Sequence, residues 1–407
     1  MKLYDELVWR GLIKDITSPE LKEKLNNGGM SFYIGTDPTA DSMHIGHYSS
    51  FLISKRLAKA GHHPYLLIGG ATGRIGDPRP TSEREMKSEE EVMHNVEGLT
   101  KQAKEIFGFD VVNNNDWTKD INVVEFLRDY GKYFSVNYML DKDIIRRRLE
   151  TGITFAEFSY MLLQSMDFLW LHENKGVDLQ VAGSDQWGNI TAGVDLIRKK
   201  TGDEVYAFTM PLVLDKYGNK FGKSEGNALW LDKNKTSSYE LYQYLINSDD
   251  SKVIEYLKIF TFLSKEEIER LEKSNNEHPE LREAHQALAR EVITDLHGKE
   301  EYEKALNISK SLFSGDIKKL NLDEIKVAFK DVPSFRLEGE INIVDMLVNN
   351  KIASSKREAR EFINAGSITI NGDRITDLDR IITKEMAIEG TALVVRRGKK
   401  KYFVGMF

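Results

Sequence analysis

His44 and His47 flank Ile45-Gly46 where a short β-prone run, Phe32-Tyr33-Ile34, has passed through a polar loop and a helical pattern begins. The first turn of a helix carries N–H groups without intrahelical partners and the positive end of a dipole, so a phosphate settles there readily. Gly46 would let a ligand approach the backbone closely, and two imidazoles would add donors. Alone, HxGH is weak evidence, because two surface histidines at a helix start would also show it. Its surroundings favour the anion. Phe51, Leu52, Leu57 and Ala58 recur at near-helical spacing over Tyr48 to Ala60, and Pro64 to Ile68 reads as a second buried strand, which makes a β-loop-α-β unit.

Other side chains suited to chemistry follow. Gly69-Gly70-Ala71-Thr72-Gly73-Arg74-Ile75-Gly76-Asp77-Pro78 is a glycine-rich turn at the end of that second strand, where ligands of open α/β sheets gather. Asp77 is there either to pair with a ligand ammonium or as an ordinary turn aspartate. Arg79 and Arg84, just beyond, either reach a phosphate or are surface charge. Thr154 to Leu171 is too apolar for a surface helix, yet Tyr160, Gln164 and Asp167 interrupt it at i, i+4 and i+7, on one helical face. A buried aspartate is costly unless paired, so this stripe is either a satisfied internal network or the lining of a polar-ligand site. Lys220 and Lys223 bracket Phe221-Gly222 in a cationic loop. By itself such a loop is commonly a solvated turn.

The elements that must position these groups alternate in type. Asp178 to Ala182 reads as a strand, followed by the loop 183–189 with Gln186 and a helix over 190–200; Val205 to Leu214 reads as a further strand. Residues 83–150 alternate charged amphipathic helices with one strand-like run, Asp110-Val111-Val112. They show no catalytic constellation, but Phe126, Leu127, Tyr133 and Phe134 suit a dimerisation surface. From 225 to about 320 the pattern is all-α, with helices at Tyr239–Ile246, Val253–Phe260, Lys265–Lys273, Leu281–His297 and Glu301–Phe313.

Without cysteine, disulfides and thiolate metal sites are excluded. MKLYDELVWRG lacks the apolar core of a secretory signal and no apolar run approaches a membrane span, so a cytoplasmic protein is expected. The net charge of −7 conceals an asymmetry: residues 341–407 hold 12 Lys and Arg against 8 Asp and Glu. A basic terminal module suits either a polyanionic partner or a solvated surface.

HIGH at 44–47 together with KFGKS at 220–224 resembles the paired signature of the class I aminoacyl-tRNA synthetases. The second motif has Phe221 and Gly222 where KMSKS is usual, a variation of the tyrosine branch. YIGTDPTADSMHIGH, GGATGRIGDP, EFSYMLLQSMDF and GSDQWGNI resemble, in that order and over nearly the full length, the bacterial tyrosyl-tRNA synthetases. The stretch NIVDMLVNNKIASSKREAREFINAGSITINGDRI resembles an S4 RNA-binding domain.

The resemblance implies an α/β fold: a Rossmann-like parallel-sheet catalytic domain with a helical insertion and dimer region over 1–224, an α-helical anticodon-region domain over 225–320, a linker over 321–340 and a small α+β S4-like domain over 341–407. It also implies that Tyr33 and Asp167 hold a substrate phenol, that Asp77, Tyr160 and Gln164 hold its α-ammonium, and that Asp37 and Gln186 belong to the same pocket. His44, His47, Lys220 and Lys223 would be catalytic and meet ATP, with Gly35 and Gly46 beside it and Arg84 a helper. Arg79-Pro80-Thr81 replaces the lysines that relatives carry, which leaves open which cation meets pyrophosphate. Lys356, Arg357 and Arg360 would meet RNA, extended by Arg396, Arg397, Lys399, Lys400 and Lys401. Tyrosine, tRNA(Tyr) and ATP with its Mg²⁺ would be the partners of a homodimer, without a tightly bound cofactor, a protein-held metal or a membrane. Three rival readings are a tryptophan-specific enzyme, disfavoured by Tyr33 with Asp167 because an indole has no phenol hydroxyl, a non-enzymatic RNA-binding protein on the same scaffold, and a nucleotidyltransferase acting on another carboxylate.

Overall fold

The computed structural model describes residues 1–79, 85–224, 227–398 and 401–407, except for the side chains of residues 223, 224 and 227. The chain forms two compact units, Met1–Thr236 with Ser248–Glu291, and Ser237–Asn247 with Val292–Phe407.

The first unit is built on a six-stranded sheet. Its strands are β1 (Asp15–Ile16), β2 (Ser31–Thr36), β3 (His63–Ile68), β4 (Asp110–Asn113), β5 (Val177–Gly183) and β6 (Tyr206–Met210), in the order β1-β6-β5-β2-β3-β4. Only β1 runs antiparallel to its neighbour. Buried on both faces, the central strands read as nearly continuous apolar runs, Phe32-Tyr33-Ile34 in β2 and Tyr206 to Met210 in β6. From β2 the chain winds outward to β3 and β4, then returns on the other side to β5 and β6. The carboxyl ends of β2 and β5 therefore face a crevice where the winding reverses.

One expectation is adjusted and one is borne out. Strand β6 stops at Met210 instead of reaching Leu214, because Pro211 has no N–H for the ladder; the chain turns there toward the crevice. Within 83–150, Asp110–Asn113 is the sheet's outer strand, in parallel register with Tyr65–Ile68.

Five helices of the first unit carry or brace the candidate residues: α1 (Ile45–Lys59), α2 (Glu89–Gln102), α3 (Phe155–Lys175), α4 (Trp187–Thr201) and α5 (Val253–Phe260). The apolar face of α1, Phe51, Leu52, Ile53 and Leu57, is fully buried. In α3, the Thr154 hydroxyl accepts from Glu157 N and Gly176, at φ +62°, ends the helix. The helices at 238–246 and 299–314 lie in the second unit, whereas those at 253–260 and 265–277 lie in the first.

In the second unit two short helices, Ile343–Asn349 and Lys356–Asn364, fall between the strand Ser334–Arg336 and the other four strands of a mostly antiparallel five-stranded sheet. One of its cores joins Ile308, Ile317, Leu320 and Phe329 to Ala392, Val394 and Val404. Among the described residues, no helix is long and apolar enough to cross a membrane.

Candidate active site

At the carboxyl ends of β2, β5 and β6 lies a cleft of about 390 Å³. It brings together Tyr33, Gly35, Asp37, His44, Gly46, His47, Asp77, Tyr160, Gln164, Asp167, Gln186 and Lys220, which come from five separate stretches of sequence. The helical spacing of Tyr160, Gln164 and Asp167 does turn all three toward one place.

Deep in the cleft Asp167 is 3% exposed. Asn114 Nδ2 donates to its Oδ2 at 3.0 Å and Trp117 Nε1 to its Oδ1 at 2.9 Å. Burial pushes its carboxyl up to about 7, against the pull of those two donors. Trp117 is itself held by stacking on Trp170 of α3, ring centroids 4.2 Å apart. Tyr33, opposite on β2, is 1% exposed, and its hydroxyl has no hydrogen-bond partner. Burial and the charge of Asp167 hold that hydroxyl well above the ordinary phenol range, so it is neutral.

Nearer the strand ends, carboxylates are held in place by neighbours. Asp37 accepts from Thr72 Oγ1 at 2.8 Å and from the Tyr160 hydroxyl at 2.9 Å. Gly69 is required here, because a Cβ would overlap both the Asp37 carboxylate and the Thr72 hydroxyl. Asp77 accepts from Gln186 Nε2 at 2.8 Å and Asn189 Nδ2 at 3.1 Å. Gln186 thus also acts through Asp77, and Asn189, on α4, braces both. Gln164 Oε1 is buried with no partner. The cleft consequently offers two carboxylates and an unsatisfied amide oxygen for a cation, and an unsatisfied hydroxyl beside Asp167 for a second polar group.

At the mouth, the helix start differs from the expected anion site. Ile45 N donates to Leu229 O at 2.8 Å, Gly46 N to His44 Nδ1 at 3.1 Å and His47 N to His44 O at 2.8 Å. His47 Nδ1 in turn accepts from His44 N at 3.2 Å, and the rings stack at 3.9 Å. The first amides of α1 are therefore committed to protein acceptors. With each Nδ1 accepting, a neutral ring carries its proton on Nε2. Gly46 is also explained differently: a Cβ there would lie 2.8 Å from the His44 ring, so glycine makes room for the histidine's own cap rather than for a ligand.

Lys220 Nζ is 3.9 Å from Asp185 Oδ2 at the cleft edge. Phe221 stacks on Phe260 of α5 at 4.9 Å and tilts against Tyr256 at 4.5 Å, which seats this loop on α5. Gly222 has φ +80°, and a Cβ there would overlap Ile45 of the histidine motif. Lys223 and Ser224 pair with Asn227 and Ala228 through their backbones; the Lys223 side chain lies outside the described residues, as does Arg84. Arg79 is anchored through its carbonyl, which accepts from Arg148 Nη1 at 2.9 Å, while Arg148 is paired with buried Glu157 at 2.9 Å.

Asn114, Trp117, Asn189 and the Arg148–Glu157 pair were not evident in the sequence. The segment around Trp117 follows β4, and its only signal is an indole and amides after a short strand. In the second unit, Lys356, Arg357 and Arg360 are exposed on one helix, with Lys356 paired to Asp345 and Arg357 to Glu361. Arg396 and Arg397 are half-buried; Arg397 donates to the Ile352 carbonyl and lies over Phe362, so it is committed inside the unit. Lys399 and Lys400 lie outside the described residues.

Residues 25–314 match the family of class I tRNA synthetases for tryptophan and tyrosine, and residues 324–405 match the C-terminal domain of SYY-like tyrosine–tRNA ligases. The chain is 52% identical to a tyrosine–tRNA ligase of Listeria monocytogenes serotype 4a and 51% identical to tyrosine–tRNA ligase 1 of Enterococcus faecalis, in each case over 99% of both chains. The chain belongs to the tyrosine–tRNA ligase family. Its fold agrees: a C-terminally truncated mitochondrial tyrosyl-tRNA synthetase of Aspergillus nidulans superposes with a TM-score of 0.68 at 32% identity, covering 77% of this chain and 94% of that one. Membership in the tyrosine–tRNA ligase family gives the unsatisfied hydroxyl of Tyr33 and amide oxygen of Gln164 a chemical context.

Proposed function

We propose a division of labour within the cleft for the reaction this chain catalyses: it activates L-tyrosine with ATP to tyrosyl-adenylate and pyrophosphate, then transfers tyrosine to the 3′ end of tRNA(Tyr). The substrate phenol donates to Asp167 and accepts from the Tyr33 hydroxyl. Its α-ammonium lies among Asp77, Tyr160 and Gln164, with Asp37 and Gln186 completing the polar wall. One observation carries this reading: among the described residues of the cleft, the unsatisfied buried polar atoms Tyr33 Oη and Gln164 Oε1 are those that a phenol and an ammonium would satisfy.

The tyrosine carboxylate oxygen attacks the α-phosphorus of ATP, the bond to the bridging oxygen breaks and pyrophosphate leaves. A ribose hydroxyl of the tRNA then attacks the carbonyl carbon, and AMP leaves with the bond electrons. No side chain becomes a nucleophile. Catalysis rests on alignment of the two substrates and on neutralising charge that builds on the phosphates. His44 and His47 meet ATP with Lys220 and Lys223 as cations and Arg84 assisting, and Gly35 and Gly46 belong to the same nucleotide site. Mg²⁺ enters as part of the ATP substrate.

The protein works as a cytoplasmic homodimer. The exposed apolar side chains Val123, Val124, Leu127, Val136 and Phe155 support a protein-covered surface in this region. The exposed cations Lys356, Arg357 and Arg360 contact the tRNA backbone, the helices at 225–320 serve its anticodon region, and 341–407 acts as the S4-like module. The test is ATP–pyrophosphate exchange with each of the twenty amino acids. Exchange with tyrosine alone is expected; exchange with tryptophan and not tyrosine overturns the pocket assignment.

A further inference from the structure

Between Asp37 and His44 the chain crosses from the tyrosine side of the cleft to the ATP side with little secondary structure of its own. Its polar backbone groups must still be satisfied, because Pro38, Ser42 and Met43 are buried or nearly so. Helix α2 does part of this. Asn95 Nδ2 donates to Pro38 O at 2.9 Å, Gln102 Oε1 accepts from Met43 N at 2.8 Å, and Gln102 Nε2 donates to Ser42 Oγ at 2.9 Å. Between these two side chains Gly98 meets the loop directly, and a Cβ there would overlap the Asp41 carbonyl oxygen. Asn95, Gly98 and Gln102 stand at i, i+3 and i+7, so one helical face grips the loop at Pro38, Asp41, Ser42 and Met43. On the loop's other side the Asp41 carboxylate pairs with Lys235, and Met43 O accepts from Leu231 N at 2.8 Å.

We infer that the Asn95–Gly98–Gln102 face of α2 is a positioning element for adenylate formation, setting where His44 stands relative to Asp37. It rests on the proposed assignment of His44 to ATP. Asp37 is fixed independently by Thr72 and Tyr160, so disturbing the grip at Ser42–Met43 moves the histidine end of the loop and leaves the tyrosine end in place. The effect appears in turnover rather than in tyrosine affinity. The amides of Asn95 and Gln102 are matched to polar groups of this loop, which an apolar face could not satisfy.

The experiment is steady-state ATP–pyrophosphate exchange on the full chain, with Gly98→Ala, Gln102→Met and Gln102→Glu, and with exposed Glu97→Ala as the control on the same helix. Gln102→Met and Gly98→Ala should lower kcat at least tenfold with the KM for tyrosine within threefold. Gln102→Glu keeps the acceptor for Met43 N and lets Ser42 turn to donate, so it should recover to within threefold of the parent. In the His44→Ala background, Gln102→Met should cost less than a further twofold, because the two act through one group. If Gly98→Ala does not fold, Gln102→Met decides. A Gln102→Met kcat within twofold of the parent, or losses that multiply with an impairing His44→Ala, overturns the inference alone. A His44→Ala enzyme with unchanged kcat overturns the assignment of His44 and the inference with it.

Discussion

Replacing Tyr33 by Phe should move stability and substrate affinity in opposite directions. In the ligand-free chain the Tyr33 hydroxyl is buried and unpaired, while its ring packs at 5.4 Å against Phe168 in a core with Leu67, Leu169 and Leu196. Phe retains that ring and removes an oxygen that has lost its water without gaining a partner. Leaving such a group unsatisfied costs about 1–3 kcal/mol, so the substitution should be neutral or stabilising by up to roughly that amount, less the contacts of one atom. In the proposed complex the same hydroxyl donates to the substrate phenol, and losing a neutral hydrogen bond costs about 0.5–1.5 kcal/mol, or roughly a 2- to 12-fold rise in Kd. Thermal unfolding with and without tyrosine, alongside calorimetric Kd values, measures both. The expected result is an unchanged or raised Tm without ligand and a smaller upward shift on adding tyrosine. A Tm lowered by several degrees in the free protein, or an unaltered Kd, would refute the reasoning, since either means that the hydroxyl is already satisfied or does not meet the ligand.

Asp167 gives a pH dependence. Its carboxyl sits at about 7 in the folded chain against an ordinary value of 3.8, so between those values the folded state holds a proton that the unfolded state has released. Stability therefore falls as pH rises across that window and levels off above about 7. With the substrate phenol donating to Asp167 as proposed, tyrosine binding favours the charged form and should strengthen as pH rises through about 7, seen as a falling KM; Asp167→Asn should abolish that dependence. Lys220→Ala should lower kcat for exchange by about 10²-fold with the KM for tyrosine little changed, the loss typical of a charge-stabilising donor; a pure KM effect would place Lys220 outside the reacting phosphates. Gly222→Ala, strained at φ +80° and overlapping Ile45, should lower exchange more than Lys216→Ala does on the exposed turn before it, read from the two kcat values. Reversing charge at Lys356, Arg357 and Arg360 should spare exchange, impair tRNA charging and flatten its salt dependence. Reversal is preferable to removing 341–407, which would strip Ala392, Val394 and Val404 from the core they share with Ile308 and Phe329.

What could be read from the sequence divides along a physical line. The helix start at the histidine motif, the stripe on α3 and the strands β2, β3 and β5 are local patterns, read from turn residues and from periods of 2 or 3.6 residues, and the structure has them where those patterns put them, whereas β6 stops short at Met210. The partners that tune those groups obey no local period. Asn114 and Trp117 reach Asp167 across 53 and 50 residues of sequence, and Asn189 reaches Asp77 across 112. Nothing about an amide after a short strand distinguishes it from a turn residue until the sheet order brings β4 near α3.

The histidine motif shows the same limit from the other direction. Its four residues suggested free backbone amides and a glycine opened for a ligand, but the amides are spent on the cap and the glycine on the His44 ring. Both facts follow from which acceptors happen to lie nearest the helix start, and one of them, Leu229, arrives from beyond the lysine motif. The two motifs are thus coupled through the backbone itself: Ile45 N is held by the segment that follows KFGKS, and Leu229 N donates to Gly222 O at 3.1 Å. A change that moves the lysine loop must therefore disturb the amides that orient His44, which ties the placement of the cations to that of the imidazoles.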